Sequence, residues 1–192
     1  WENGMASDTL TTARAYVAAG LSVIPIAPDG NKAPDGLVLP QEPNERGEPR
    51  RTWNPYRSRL ATEAELHRWF WDGRRGIGIV CGLVSGGLEV LDFDELGLFE
   101  LWAERVERQH PGILAGLPQV RTPKGGRHVY YRCALPEGSK KLARRVAGLT
   151  RVEFKGEGGY VLAPGTPSAC HPLGKLYEHV AGPPVTATPT IG

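Results

Sequence analysis

Glycine and proline interrupt this chain so often that no regular element can run long. The 192 residues hold 25 glycines and 17 prolines, and neither recurs at a fixed period, so collagen-like and low-complexity folds are excluded. Short apolar runs of strand length remain, together with a few stretches of helical spacing. A chain of this size buries a substantial core. No internal repeat divides it, and the order of helices and strands predicts a mixed α/β (α+β) domain.

Residues 8–19 open with capping residues, place Leu10, Ala13, Tyr16 and Val17 on one face and stop at Gly20, which predicts a helix. Residues 21–26 read as a strand with Pro25 inside it, so an edge position is expected. Residues 27–59 form a long stretch of weak periodicity, and loops of that length are functional or mobile. Thr62 and Glu65 form a capping box ahead of Leu66, Trp69 and Phe70. Residues 76–81 and 87–94 predict a strand pair joined by a glycine-containing turn. Leu98, Leu101, Trp102 and Val106 predict a helix ending before Pro111. Strands follow at 120–122, 128–133, 151–154 and 160–163, with a basic helical stretch at 139–146. Residues 1–4 precede Met5 and resemble a tag remnant. Residues 181–192 read as a Pro/Thr-rich tail or the start of a linker.

Charge excludes some partners and leaves others to local clusters. Lys and Arg number 23 against 21 Asp and Glu, a net charge of +2, so any grip on nucleic acid must come from patches. Cys81, Cys133 and Cys170 offer neither a disulfide framework nor paired zinc ligands, and no zinc is expected. Cys170-His171 is read as structural. No apolar run reaches the roughly 18 residues of a membrane span. The expectation is a cytoplasmic protein with no membrane partner.

Four patterns carry chemistry. In Leu91-Asp92-Phe93-Asp94, strand alternation puts both carboxylates on one face. Such acids repel unless a cation sits between them, and hard divalent ions take carboxylate oxygens. The same pair also reads as a strand end whose acids cap the next helix. Thr122 to His128 is a cationic turn in which Gly125 and Gly126 permit close approach to a phosphate, with Lys124 and Arg127 to neutralise it. Next, Arg151, Glu153 and Lys155 alternate with Val152 and Phe154 ahead of a glycine-rich run at 156–159. Finally, Lys140, Lys141, Arg144 and Arg145 share one side of the expected helix, and Arg50 and Arg51 lie beside Trp53. Cations interleaved with aromatic rings grip single strands.

Taken in order, Val23-Ile24-Pro25, Lys32-Ala33-Pro34, Trp53, Trp69, Gly76 to Ile79, Leu91 to Asp94, Thr122 to His128, Gly158 to Pro164 and Gly174 to Tyr177 resemble the N-terminal primase/polymerase (prim-pol) domain of the archaeo-eukaryotic primase superfamily, found in plasmid, phage and integrated-element replication proteins. The resemblance implies one catalytic domain over residues 5–180. That domain would have two modules, an α/β half and a half like an RNA-recognition-motif sheet, with the active cleft between them. It implies Asp92 and Asp94 as the metal-binding acid pair, Glu153 as the third acid and His128 as the nucleotide-binding histidine. Two Mg²⁺ or Mn²⁺ ions are then expected on Asp92, Asp94 and Glu153. His128, Lys124, Gly125, Gly126, Arg127 and Lys155 are expected at the triphosphate, and Arg50, Arg51, Trp53, Lys140, Lys141, Arg144 and Arg145 at nucleic acid. The partners implied are a single-stranded DNA template, a primer strand and NTP or dNTP, with a helicase or accessory domain possible in the full-length protein. Two departures stand out: the third acid is commonly Asp, and a long insert separates Lys32 from Trp53. A metal-dependent phosphodiesterase or a catalytically silent binding module are the alternatives.

Overall fold

The computed structural model describes residues 8–144 and 150–191; residues 1–4, read as a tag remnant, lie outside them. In chain order the elements are α1 (Asp8–Ala18), β1 (Val23–Ile26), β2 (Gln41–Pro43), β3 (Pro49–Arg51), α2 (Glu63–Phe70), β4 (Gly76–Val80), β5 (Leu88–Phe93), α3 (Leu96–Gln109), β6 (Gln119–Arg121), β7 (Arg127–Arg132), β8 (Lys140–Arg144), β9 (Thr150–Lys155), β10 (Tyr160–Leu162) and β11 (Glu178–Ala181). They make a three-stranded sheet β1-β4-β10, a six-stranded sheet β11-β6-β7-β5-β9-β8 and a small hairpin β2-β3. The fold is the expected mixed α/β class. Pro25 sits on the edge strand β1, where its missing N–H breaks no ladder.

One expected pairing is corrected. Residues 76–81 and 87–94 do not form a hairpin, because β4 belongs to the three-stranded sheet and β5 to the six-stranded one. Only a bridge between Gly82 and Leu88 joins their ends. The cause is the connection itself: Gly82, Gly86 and Gly87 all take positive φ around a short helical turn at Leu83–Ser85. Gly87 also lies so close to the Cys133 carbonyl that a Cβ would come within 1.9 Å of it. The turn therefore redirects the chain into a second layer.

A second correction concerns residues 139–146. Lys140–Arg144 is the edge strand β8, paired with β9, rather than a helix. Cations repeating along a short segment suit an exposed sheet edge as well as a helix face, and edge lysines guard against further strand addition. On a strand Lys140 and Lys141 point to opposite faces, so they do not form a shared stripe. Arg145 lies outside the described residues, as does the side chain of Arg144.

Strand alternation gives β5 two different faces. Leu91 and Phe93 turn toward α3, where Phe93, Phe99, Leu114, Leu117 and Val129 form one core with Leu91, Trp102 and Val152 packed against it. Leu88 and Val90 turn the other way, into a larger core with Tyr130, Ile24, Ile77, Trp69 and Phe70. Each such side chain stabilises by about 1.5–3 kcal/mol when fully buried. The polar residues at the β5 terminus thus emerge at the rim of the larger core.

The long segment 27–59 is partly ordered. It holds the β2-β3 hairpin and a short helical turn at Asn54–Arg57 whose Tyr56 is fully buried. Tyr56 donates its hydroxyl to Glu65 Oε1 at 2.7 Å, and Arg59 donates to the same carboxylate at 2.7 Å. Glu65 also completes the expected capping box with Thr62. At the other end, Val185 and Thr188 are buried and the Ile191 amide donates to the Arg132 carbonyl at 2.8 Å, so residues 182–191 pack on the sheet.

Two outcomes are expected from this framework. Hydrogen bonding from Arg59 outweighs burial and holds Glu65 down at about 2, against an ordinary 4.5. A carboxylate whose folded pKa is depressed stabilises fully above its unfolded pKa and ceases to do so as pH falls through the folded one. Glu65→Gln should therefore lower stability by about 1–2 kcal/mol at pH 7, and chemical denaturation should show that difference shrinking between pH 4.5 and about 2. Gly126→Ala should cost about 1–3 kcal/mol by overpacking, because its Cβ would lie 2.0 Å from the Phe93 carbonyl oxygen and 3.0 Å from the Asp94 carbonyl carbon; thermal melts check this.

Candidate active site

The centre of the six-stranded sheet sets the site. Strand β5 pairs antiparallel with β7 on one side and β9 on the other, with Asp92 opposite His128 in one ladder and opposite Glu153 in the other. Directly opposed residues share a face, so His128, Asp92 and Glu153 form one row across three strands. Lys141 of β8 stands opposite Glu153 at the end of that row. Asp94 follows one residue past β5, and the cap position of α3 is Glu95 rather than either aspartate. The acid pair therefore does not cap α3 by side chain.

A cleft of about 440 Å³ opens over the His128 and Asp92 part of this row, and neither Glu153 nor Asp94 lines it. Asp92, His128 and Lys155 line it from the six-stranded sheet, and Tyr160, Val161 and Leu162 from the three-stranded one. Lys32, Trp53, Ser139 and Tyr177 complete the wall. Gly158 and Gly159 face Arg57 and Ser139 so closely that a Cβ on either would collide with them. Without side chains there, the cleft stays open.

His128 is buried and held from both nitrogens. Its Nε2 lies 3.4 Å from Asp92 Oδ1, and its Nδ1 lies 3.3 Å from the Tyr130 hydroxyl. The Tyr177 ring, 5.8 Å away centre to centre, limits its tilt. The Lys155 ammonium pairs with the Glu153 carboxylate.

The two aspartates are driven apart electrostatically. Burial pushes Asp92 up, but His128, with Lys155 and Lys32, outweighs it, so Asp92 sits below the ordinary aspartate value. Asp94 moves up, through burial first and then the charge of Asp92, against the pull of Lys124. The carboxylates feel one another, and the His128 ring lies against Asp92.

Carboxylate oxygens are the donors a hard divalent ion prefers, and Asp92 and Asp94 supply them at one strand end. Among the described residues no three of His, Cys, Asp or Glu are gathered as a metal cage, since Glu153 is turned onto Lys155. Asp92 and Asp94 are donors of the kind a divalent ion takes, and Glu153 is paired with Lys155.

Other expected residues fall elsewhere. Lys124 and Gly125 line a neighbouring groove. Gly126 uses its freedom against the β5 backbone, and Arg127 lies over the Phe99 ring at 4.9 Å. Arg50 and Arg51 line a larger cavity of about 750 Å³ at the hairpin, where Glu42, Glu45 and Glu48 also stand. Trp53 borders both that cavity and the cleft, edge-on to Tyr160 at 5.5 Å. Lys140 is paired with Glu137. Cys170 is buried with its sulfur near the Ile26 carbonyl, a structural position as expected.

Lys32, Tyr160 and Tyr177 are cleft residues that pattern reading passed over. Lys32 is the one non-glycine residue of positive φ, 60°, among the described residues, and the Tyr160 hydroxyl donates to its carbonyl at 3.1 Å. Such backbone strain gathers at functional positions. The signal lay in Lys32-Ala33-Pro34 following Asn31, a turn-prone context, but its distance from Asp92 in sequence hid the contact.

No curated protein matches the chain. The family model for the N-terminal domain of bifunctional DNA primase/polymerase matches residues 13–190, a span that contains every cleft residue named above. The chain belongs to the bifunctional DNA primase/polymerase N-terminal (Prim-Pol) family.

Proposed function

We propose that this domain performs template-directed nucleotidyl transfer, as DNA primase and DNA polymerase of a plasmid, phage or integrated element. NTP or dNTP is the donor, and a primer 3′-hydroxyl on single-stranded DNA is the acceptor. The observation that carries this reading is the row of His128, Asp92 and Glu153 across three paired strands, with an open cleft over His128 and Asp92 and with Asp94 one residue past β5.

Asp92, Asp94 and Glu153 would hold the Mg²⁺ or Mn²⁺ ions. Bound there, divalent ions supply Lewis-acid neutralisation of the triphosphate and a more acidic attacking hydroxyl. The chain's own residues do the positioning. His128, seated between Asp92 and Tyr130 at the cleft wall, would turn one of its two nitrogens from these partners to a phosphate oxygen. Lys155 and Lys32 add positive charge from opposite walls, and charge-assisted bonds to phosphate are about twice as strong as neutral ones. The Trp53 and Tyr160 rings give a base or sugar an apolar surface.

In this reading the nucleic-acid contacts come from Trp53, Arg50 and Arg51 at the hairpin side and from Lys140 and Lys141 on β8. A helicase or accessory domain in the full-length protein and a cytoplasmic setting belong to the same proposal. Among the described residues no helix is long and apolar enough to cross a membrane.

Incorporation of a labelled nucleotide on a primed template tests the assignment. Asp92→Asn should reduce incorporation by on the order of 10³-fold, the loss of several kcal/mol of transition-state stabilisation, with a melting temperature close to wild type. Unchanged incorporation would overturn the acid assignment. His128→Ala should weaken triphosphate binding by roughly 10-fold or more, the value of a hydrogen bond to a charged group. Its affinity for single-stranded DNA should stay within about twofold; a loss of DNA affinity with intact triphosphate binding would place the nucleotide elsewhere.

A further inference from the structure

The cations of the glycine turn do not all serve the cleft. Beside it lies a separate groove of about 400 Å³, lined by Arg121, Lys124, Gly125, Lys175, Leu176 and Glu178 among others. None of the acids of the proposed metal site lines it. Its lone lining carboxylate, Glu178, accepts from Arg121 Nε at 3.0 Å and is also paired with its Nη2. Lys124 and Lys175 are exposed, and among the described residues neither has a carboxylate within ion-pair reach.

Arg121, at the end of β6, brings one charge to the groove, while Arg127, opposite it in the ladder, lies over the Phe99 ring and lines no part of the groove. Across the groove, Lys175 comes from a different segment, the stretch leading into β11, so the positive charge converges from two parts of the chain.

The groove adjoins the cleft: Leu176 lines the one and Tyr177 the other, and the turn that carries Lys124 packs on the strand end that carries Asp94, a Cβ on Gly126 lying 3.0 Å from the Asp94 carbonyl carbon. Groove and cleft share no lining residue, so a compact ligand in the cleft leaves the groove free, and repeated cations outside the cleft suit a polyanion with phosphates at regular intervals.

We propose that the groove binds the sugar-phosphate backbone of the single-stranded DNA that passes the cleft, with Arg121, Lys124 and Lys175 neutralising its phosphates. This rests on the primase/polymerase reading and adds to it a strand path on the β6-β7 side, opposite the β8 edge.

The test uses the full 192-residue chain, a fluorescein-labelled oligo-dT strand and a salt series read by anisotropy, alongside binding of a fluorescent dNTP analogue and incorporation on a primed template. Removing one cation that neutralises a phosphate should flatten the slope of log affinity against log salt by about 0.7 for a single strand. Lys175→Gln should produce a change of that size and leave dNTP binding unchanged. Glu178→Gln should act in the opposite direction, tightening DNA binding by about two- to fivefold as Arg121 is released. Melting temperatures establish that both variants are folded. A wild-type slope and affinity in both variants, with incorporation intact, would overturn the groove alone. Loss of dNTP binding in Lys175→Gln with an unchanged DNA slope would assign the groove to the nucleotide and overturn the strand path. Absence of incorporation by the wild-type chain would overturn the reading on which the proposal stands.

Discussion

Register at β5 is the constraint from which the rest of the site follows. This strand lies between β7 and β9, and a slip of one residue against either would exchange its faces. Asp92 would then enter the core under α3, and Leu91 and Phe93 would enter the cleft. Phe93 packs against both Phe99 and Trp102, at 5.6 and 5.1 Å between ring centres, while Leu88 and Val90 are wholly buried on the other side. Exposing that set costs several kcal/mol, and burying an unpaired carboxylate adds more. The apolar residues therefore enforce the alignment of His128, Asp92 and Glu153, although none of them touches the chemistry.

The electrostatic consequences come from the same alignment. Asp92 has the His128 imidazole against it in the ladder while Asp94 lies beyond the strand end, and the two acids, two residues apart, respond in opposite directions. Glu153 is longer than the aspartate common at its position in the resembling family, and its carboxylate reaches Lys155 two residues along the same strand. In this chain that carboxylate pairs with a cation that lines the cleft. A divalent ion and a triphosphate would together separate that pair, the ion drawing Glu153 and the phosphates drawing Lys155.

Much of this was legible in the residues. The i, i+2 spacing of Asp92 and Asp94 and the alternation around Glu153 need only strand periodicity, and Thr62 with Glu65 is a local capping pattern. The failures share a cause, which is that they depend on partners distant in sequence. Residues 82–86 read as a hairpin turn, yet the positive φ values of Gly82, Gly86 and Gly87 and the nearby Cys133 carbonyl send the next strand to another sheet. The basic segment beginning at Lys140 has helical charge spacing, but β9 offers it a ladder, and tertiary pairing overrides weak local preference. Lys124 and Arg127 share a turn with His128, and only the packing of Gly126 on β5 determines that their side chains leave the cleft.

The modest net charge gives the division of cations its physical point. At physiological salt exposed charges are screened beyond about 8 Å, and an excess of two positive charges provides little long-range attraction for a polyanion. Whatever holds a strand must therefore act within contact distance. Lys32 and Lys155 stand inside the cleft beside the acids that offset them, which suits a compact ligand arriving with its own counter-ions. Lys124 and Lys175 stand outside, exposed and, among the described residues, without carboxylate partners, which suits phosphates repeated along a chain. A single merged cluster would have placed strand and triphosphate in competition for the same cations. On the proposed strand path, separate grooves would let one ligand be held while the other exchanges.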